Sequence, residues 1–299
     1  MIYQEKNGVC LLDKPVGISS RQTLVKACKN LELPNPSKVG YSGTLDPLAS
    51  GLLIILSGVS RKLQDFFTQH SKEYIGTIFL GACSDTDDKE GPIHRNAVSR
   101  IPQKEEIFYA LESFQGKILQ KPPMYSAIKI DGRRSHKMAR KGEIVELAPR
   151  QVQIFSLEIL AYEYPLLTLK VHCSAGTYIR SLARDLGNIL GCGGYLDSLR
   201  RISCGGFSIE KAFALEQLTP SCLIPLQKIL EDYPKLVLDR SFWHKIRNKQ
   251  PIAIQESPGD SPLLWIENQL VALGKVKNGF VRSETILVPG LDESTANLS

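Results

Sequence analysis

The chain has 299 residues, a net charge of +6, an apolar fraction of 42% and 23% charged residues. That balance excludes a low-complexity or collagen-like chain and leaves room for one large folded domain plus a small one. No apolar run approaches the roughly 20 residues that cross a bilayer, and the N-terminal MIYQEKNG lacks a basic region followed by an apolar one, so a soluble cytoplasmic protein is expected. Seven cysteines (Cys10, Cys28, Cys83, Cys173, Cys192, Cys204 and Cys222) form no C-x-x-C pair and are odd in number. They read as reduced thiols, not as a disulfide framework or a zinc ribbon.

In chain order, Val9 to Leu12 reads as a short buried strand closed by Asp13-Lys14-Pro15. Ser19 or Ser20 then caps a helix with Leu24, Cys28 and Leu31 on one face. The stretch KVGYSGTLDPLASGLLIIL, residues 38–56, sets Asp46 in a glycine-bounded loop before an apolar run. Gly40, Gly43 and Gly51 permit close backbone approach and positive φ, Pro47 stiffens the residue after the acid, and Leu52 to Leu56 reads as a buried strand anchoring the loop. A lone Leu-Asp-Pro is more often a tight turn in which the aspartate bonds its own backbone.

Tyr74 to Leu80 is strand-like, and residues 103–115 are helical, with Ile107, Leu111 and Phe114 at helical spacing and Gly116 as the stop. Leu167, Leu169, Val171 and Cys173 alternate with polar residues, as in a strand with one buried face. Adjacent His172 and Cys173 then point to opposite faces and cannot share a metal. After Gly176 a helix carries Ile179, Leu182, Ala183, Leu186 and Ile189 as its apolar stripe. Strands and helices mix without a regular βαβ period, which favours α+β over a doubly wound sheet. A linker is expected at Glu231–Pro234, followed by strands at Leu236–Leu238, Leu263–Ile266, Leu270–Val276 and Thr285–Val288.

Several chemistries fail on spacing. Gly40-Tyr41-Ser42-Gly43-Thr44 lacks the second glycine of a nucleophile elbow. Asp85, Asp87 and Asp88 resemble a calcium loop, but Lys89 and Glu90 occupy positions that need a ligand and a glycine, so the stretch reads as a solvated acidic turn. No Walker loop, dinucleotide fingerprint or H-E-x-x-H is present, so neither metal nor cofactor is expected. Between residues 129 and 141 lie six basic residues, Lys129, Arg133, Arg134, Lys137, Arg140 and Lys141, against the single acid Asp131. Such a run serves either as a solvated helix face or as a flap that closes over a polyanion.

The loop carrying Asp46 resembles the signature of the bacterial tRNA pseudouridine synthase B family, usually written near G-H-x-G-x-L-D-P-x-A-x-G. The resemblance extends through GVCLLDKPVGISS (8–20), KEYIGTIFLGACSDTDDKEG (72–91), PPMYSAIKIDGRR (122–134), HCSAGTYIRSLARDLG (172–187) and LRRISCGGF (199–207), in the family's order. It implies that Asp46 is the nucleophile, that Tyr74 stacks on the target base and helps remove a proton, and that Arg180 of G-T-Y-I-R pairs with the aspartate. Tyr178 and Leu199 match its other substrate-contacting positions, and Lys14 reads as a support near the loop. The family usually has a histidine, associated with extruding the target base, where this chain has Tyr41.

The expected fold is therefore α+β: a mixed, mainly antiparallel catalytic domain over residues 1–230 with a basic insertion at about 122–150. A small β-rich, PUA-like RNA-binding domain is expected over 234–290 and a disordered tail over 291–299. The implied activity is conversion of uridine-55 in the T arm of tRNA to pseudouridine, without cofactor, metal, membrane or obligatory protein partner. Two rivals remain: from another class, a tRNA-folding chaperone on the same fold with catalysis lost or secondary, and second, a guide-RNA-dependent relative. Against the second, the chain carries no lysine-rich extension or long terminal arm.

Overall fold

A computed structural model gives the fold, and its description covers residues 6–291 apart from 34, 97–99, 126–128, 131–132, 135–146, 257 and 289. The chain is α+β. Its strands are, in order, β1 (Gly8–Lys14), β2 (Val39–Ser42), β3 (Ala49–Ser57), β4 (Lys72–Leu80), β5 (Ala82–Ser84), β6 (Ile93–Arg95), β7 (Gly116–Gln120), β8 (Lys129–Ile130), β9 (Arg133–Arg134), β10 (Arg150–Glu163), β11 (Leu166–Cys173), β12 (Gly194–Cys204), β13 (Phe207–Ser208) and β14 (Phe213–Ala214). Ten of them form one sheet in the order β14-β1-β3-β12-β4-β11-β10-β7, with β2 paired to β3 and β13 to β12. Pairing is antiparallel except at β1–β14 and β3–β12. The second exception matters for the site, because it lays Leu199, Arg200 and Arg201 directly beside Ala49, Ser50 and Gly51.

The run Leu52 to Leu56 is apolar throughout because both of its faces are covered. Leu53 and Ile55, with Cys10 and Leu12 of β1, pack against helix α1 (Ser20–Asn30) through Leu24, Ala27, Cys28 and Leu31. Leu52, Ile54 and Leu56 face the other way, toward Phe67, Phe207 and the C-terminal leucines Leu263, Leu270, Leu273 and Leu287. Ser19 starts α1 through a capping box with Gln22, an arrangement that contributes about 1 kcal/mol. A third apolar group lies under helices α2 (Lys104–Glu112) and α3 (Ile179–Ile189), joining Ile107, Leu111 and Phe114 to Ile179, Leu182, Leu186, Tyr74, Leu45 and Leu48. Ile189 departs from the expected stripe. It is 56% exposed, because the helix ends there and Leu190 turns inward in its place.

After Pro234 a second sheet forms from β15 (Lys235–Leu238), β16 (Ile252–Ala253), β17 (Leu263–Ile266), β18 (Gln269–Lys277) and β19 (Phe280–Ile286) in the order β15-β17-β18-β19-β16. The last strand begins earlier than the expected 285–288. Asn278 and Gly279, both at positive φ (51° and 75°), close a two-residue hairpin, so the chain re-enters the sheet at Phe280. Tyr233, in the segment read as a linker, packs on Phe66, His70 and Phe207 of the N-terminal part. Of the basic insertion, β8 and β9 pair as a short hairpin. Lys137, Arg140 and Lys141 lie outside the described residues, as does the expected tail from 292 onward.

Candidate active site

The loop between β2 and β3 carries Asp46, and a set of hydrogen bonds fixes it. Ser20 Oγ donates to the Leu45 carbonyl and accepts from the Leu45 amide, both at 2.8 Å. The Gly17 amide donates to the Pro47 carbonyl at 2.8 Å, and the Ala49 amide closes a turn onto the Asp46 carbonyl at 3.1 Å. Lys14 Nζ, fully buried, donates to the carbonyls of Ala49 (2.7 Å) and Pro15 (2.8 Å). The lysine expected to support the loop thus does so through backbone oxygens. Gly43 and Gly51 adopt positive φ (66° and 107°), whereas Gly40 does not and instead accommodates Gln64 at close range. A side chain on Gly51 would run into the Arg201 backbone, whose nitrogen lies 2.7 Å from the Cβ position, so this glycine permits the β3–β12 approach.

The cation for Asp46 comes from far along the chain. Arg180 stands in the first turn of α3, and its Nη2 lies 3.0 Å from Asp46 Oδ2. A helical arginine is usually a surface group, yet this side chain is only 7% exposed. The start of α3 is pinned by the buried Gln120 side chain, which accepts from the Tyr178 amide at 2.8 Å and donates to the Tyr178 carbonyl at 3.0 Å. Ser181 Oγ adds a bond to the Lys121 carbonyl at 2.8 Å. Arg180 also donates through Nη1 to Asp88 Oδ2 and to the Thr86 carbonyl, both at 3.2 Å, and through Nη2 to the Tyr125 carbonyl at 3.0 Å.

Asp88 is the site residue that sequence reasoning missed. The stretch read as a solvated acidic turn buries it: its side chain is 4% exposed, and Oδ1 accepts from the Thr86 hydroxyl at 2.6 Å and the Glu90 amide at 3.0 Å. Neighbouring Asp87, at positive φ, instead takes Arg184 at 2.8 Å. Three acids within four positions gave no cue as to which would turn inward.

Electrostatics around the loop are strained. Burial pushes the Asp46 carboxyl above its ordinary value; Arg180 and Lys14 oppose this, and Asp88 adds to it. The shift arises although 41% of the side-chain surface remains open, which leaves the carboxylate packed on one side and accessible on the other. Burial likewise lowers Lys14 to about 8, against the pull of Asp46 and Glu90. Glu90 is raised by burial and by the charges of Asp88 and Asp46. A carboxylate kept partly dry beside a cation has less hydration to shed.

Tyr74 stands on β4 directly opposite Arg201 and next to Val171 of β11. Its phenol is pushed up to about 12 by burial, with the adjacent Arg201 charge and hydrogen bond acting the other way. Leu199 lies between Ala49 of β3 and Gly76 of β4 and packs on the core group that contains Tyr74, Leu45 and Leu48. Of the residues expected at the site, Asp46 and Arg180 touch, Tyr178 is two residues from that contact, and Tyr74 and Leu199 share its apolar floor. Tyr41 falls elsewhere, half-buried on β2 opposite Ile55 and packed on the α1 side of the sheet. Among the described residues no group of His, Cys, Asp and Glu has metal-binding geometry, and no helix is long and apolar enough to cross a membrane.

Comparison with known proteins places this arrangement. The family described as TruB family pseudouridylate synthase (N terminal domain) matches residues 30–179, and the tRNA pseudouridylate synthase B C-terminal domain matches 180–240. A tRNA pseudouridine synthase B of Clostridium kluyveri is 40% identical over 246 residues, covering 81% of this chain and 84% of that protein. One from Francisella tularensis is 44% identical over 214 residues, covering 71% and 70%. Among solved structures, the crystal structure of a Cbf5-Nop10-Gar1 complex superposes with a TM-score of 0.71 over 95% of this chain and 86% of that one; at 24% identity this is a likeness of fold. The loop that carries Asp46, the arginine that meets it and the sheet beneath them are thus those of a chain that belongs to the TruB family of pseudouridylate synthases.

Proposed function

We propose that this protein converts uridine-55 in the T arm of tRNA to pseudouridine, with Asp46 as the nucleophile. Family membership gives the reaction class, pseudouridine formation in tRNA. The observation that carries the residue assignment is the 3.0 Å pair between Asp46 and the buried Arg180, on a loop fixed by Ser20 and Lys14. The reaction breaks the bond from the ribose to N1 of uracil and makes one from the same carbon to C5. The proton on C5 must leave and N1 must gain one, so the product is an isomer and neither water nor a redox partner is consumed.

Each part of that sequence has a residue suited to it. Asp46, accessible on one side, meets the sugar carbon as N1 departs, and Arg180 holds it ionised. Tyr74 offers an aromatic face to an unstacked base and a hydroxyl near the carbon that loses its proton. Tyr178 and Leu199 border the pocket that retains the free base. Lys129, Arg133, Arg134, Lys137, Arg140 and Lys141 supply phosphate contacts, and the C-terminal β-rich domain contributes further RNA surface. The target nucleotide must be extruded from its stack to reach Asp46, and Tyr41 fills the space it leaves. The test is incubation of the purified protein with unmodified tRNA transcript and mapping of pseudouridine at nucleotide resolution. Modification at position 55 is expected. Tight binding with no pseudouridine at any position would overturn the reading in favour of an RNA-folding chaperone.

A further inference from the structure

Arg201 is the bulkiest of the fully buried side chains, 1% exposed, and no carboxylate pairs with it among the described residues. Taking an unpaired guanidinium out of water costs several kcal/mol, so its contacts must compensate. They are backbone carbonyls around the Asp46 loop: Nε donates to Leu52 at 2.7 Å, and Nη2 donates to Gly43 at 3.0 Å and to Ser42 at 3.5 Å. Its own backbone lies against Gly51, and its Cα register partner across the β12–β4 ladder is Tyr74. Lys72 stands next along that face of β4, with Cys173 and Cys204 as its partners on the two flanking strands.

One side chain therefore grips the loop that carries Asp46 from the strand position directly opposite Tyr74. We infer that Arg201 is the positioning residue for Tyr74, tying its phenol oxygen to the carbonyls of the Asp46 loop so that the two groups keep a fixed separation while the base turns over between them. The inference rests on the assignment of Asp46 and Tyr74 made above. A guanidinium suits the task because its donors are rigidly coplanar and serve several acceptors at once; an ammonium on a flexible stem does not.

A double-mutant cycle on the single-turnover rate tests it, using the full chain and one folded tRNA transcript at saturating enzyme. Arg201→Lys keeps the charge but cannot span carbonyls and phenol together. It should slow turnover about 30-fold, within the hundredfold that a misplacement of about 1 Å costs, with the dissociation constant for tRNA unchanged. In a Tyr74→Phe background the same change should cost less than about threefold, because the hydroxyl it acts through is already gone. Equal factors in both backgrounds, or a fall in binding that matches the fall in rate, would overturn the inference. If the lysine variant does not fold, Arg201→Gln, which donates to a single carbonyl, takes its place in the cycle. Asp46→Asn in the same assay separates the two levels of argument. Turnover retained by that variant removes the site assignment itself, and turnover lost with an additive cycle removes only the role of Arg201.

Discussion

Arg180 and Asp88 meet at 3.2 Å with both side chains almost wholly buried, so the arginine that serves Asp46 is itself held from behind by a second carboxylate. Removing one partner of such a pair leaves the other charged and dry, at a cost of about 3 kcal/mol or more. Asp88→Ala should lower stability to urea by that order and slow single turnover by more than about tenfold, since Arg180 loses its bearing on Asp46. Asp87→Asn is the control: Arg184 keeps Asp185 at 2.8 Å, and turnover should stay near wild type.

Asp46→Asn should abolish turnover and leave tRNA binding intact. It should also raise the melting temperature. Burial places the folded carboxyl above its ordinary 3.8, so the folded state binds that proton more tightly than the unfolded chain does. The contribution of Asp46 to stability is then most favourable below 3.8 and falls as pH rises through the folded value. A neutral isostere removes that cost at neutral pH. The same shift sets the acid limb of the single-turnover pH profile above the ordinary carboxylate range; a limb at or below 3.8 would refute it.

Gly51→Ala combines a φ of 107° with a collision against the Arg201 backbone. A loss of about 3 kcal/mol is expected, read as a lower urea midpoint, with turnover impaired even where the variant remains folded. Gly176→Ala, at φ 84° but with open space around it, should cost about 1 kcal/mol.

Tyr41 stands where the family usually has histidine. A phenol can stack and donate a hydrogen bond but carries no positive charge at neutral pH. Tyr41→His should preserve turnover, Tyr41→Phe should cost little, and Tyr41→Ala should weaken productive binding. Single-turnover rates measured beside dissociation constants on one transcript distinguish these. An inactive wild type rescued by Tyr41→His would show that the natural residue disables catalysis.

Binding should weaken with salt, and neutralising Arg133, Arg134 and Lys137 together should flatten that dependence, since roughly one counterion is released per phosphate contact. An unchanged slope would return the 129–141 run to a solvated surface.

The local signals read well where one residue type settles a conformation. A helix cap at Ser19 or Ser20, the alternation of β11 and the buried run 52–56 were all legible. The long β10 and the central β12 were not, because their side chains face a partly solvated edge or mixed surroundings and break the period of two. The hairpin at Asn278-Gly279 carried a strong turn signal that a search for apolar runs passed over. At the site, the family resemblance singled out Asp46, where its loop alone favoured a plain turn, whereas Asp88 and Arg201 were not singled out. Their burial follows from partners brought by pairing across the sheet and by the packing of α3, which spacing within their own segments does not encode.

The parallel pairing of β3 with β12 has a consequence for biosynthesis. When roughly the first half of the chain has left the ribosome, Asp46 is already outside, but the arginine that meets its carboxylate and the strand that braces its loop are still unmade. In that interval the loop has its contacts from Lys14, Gly17 and Ser20, but Asp46 lacks the cation that faces its carboxylate. The pair with Arg180 and the brace from β12 can form only once residues through Cys204 have emerged and slotted between β3 and β4.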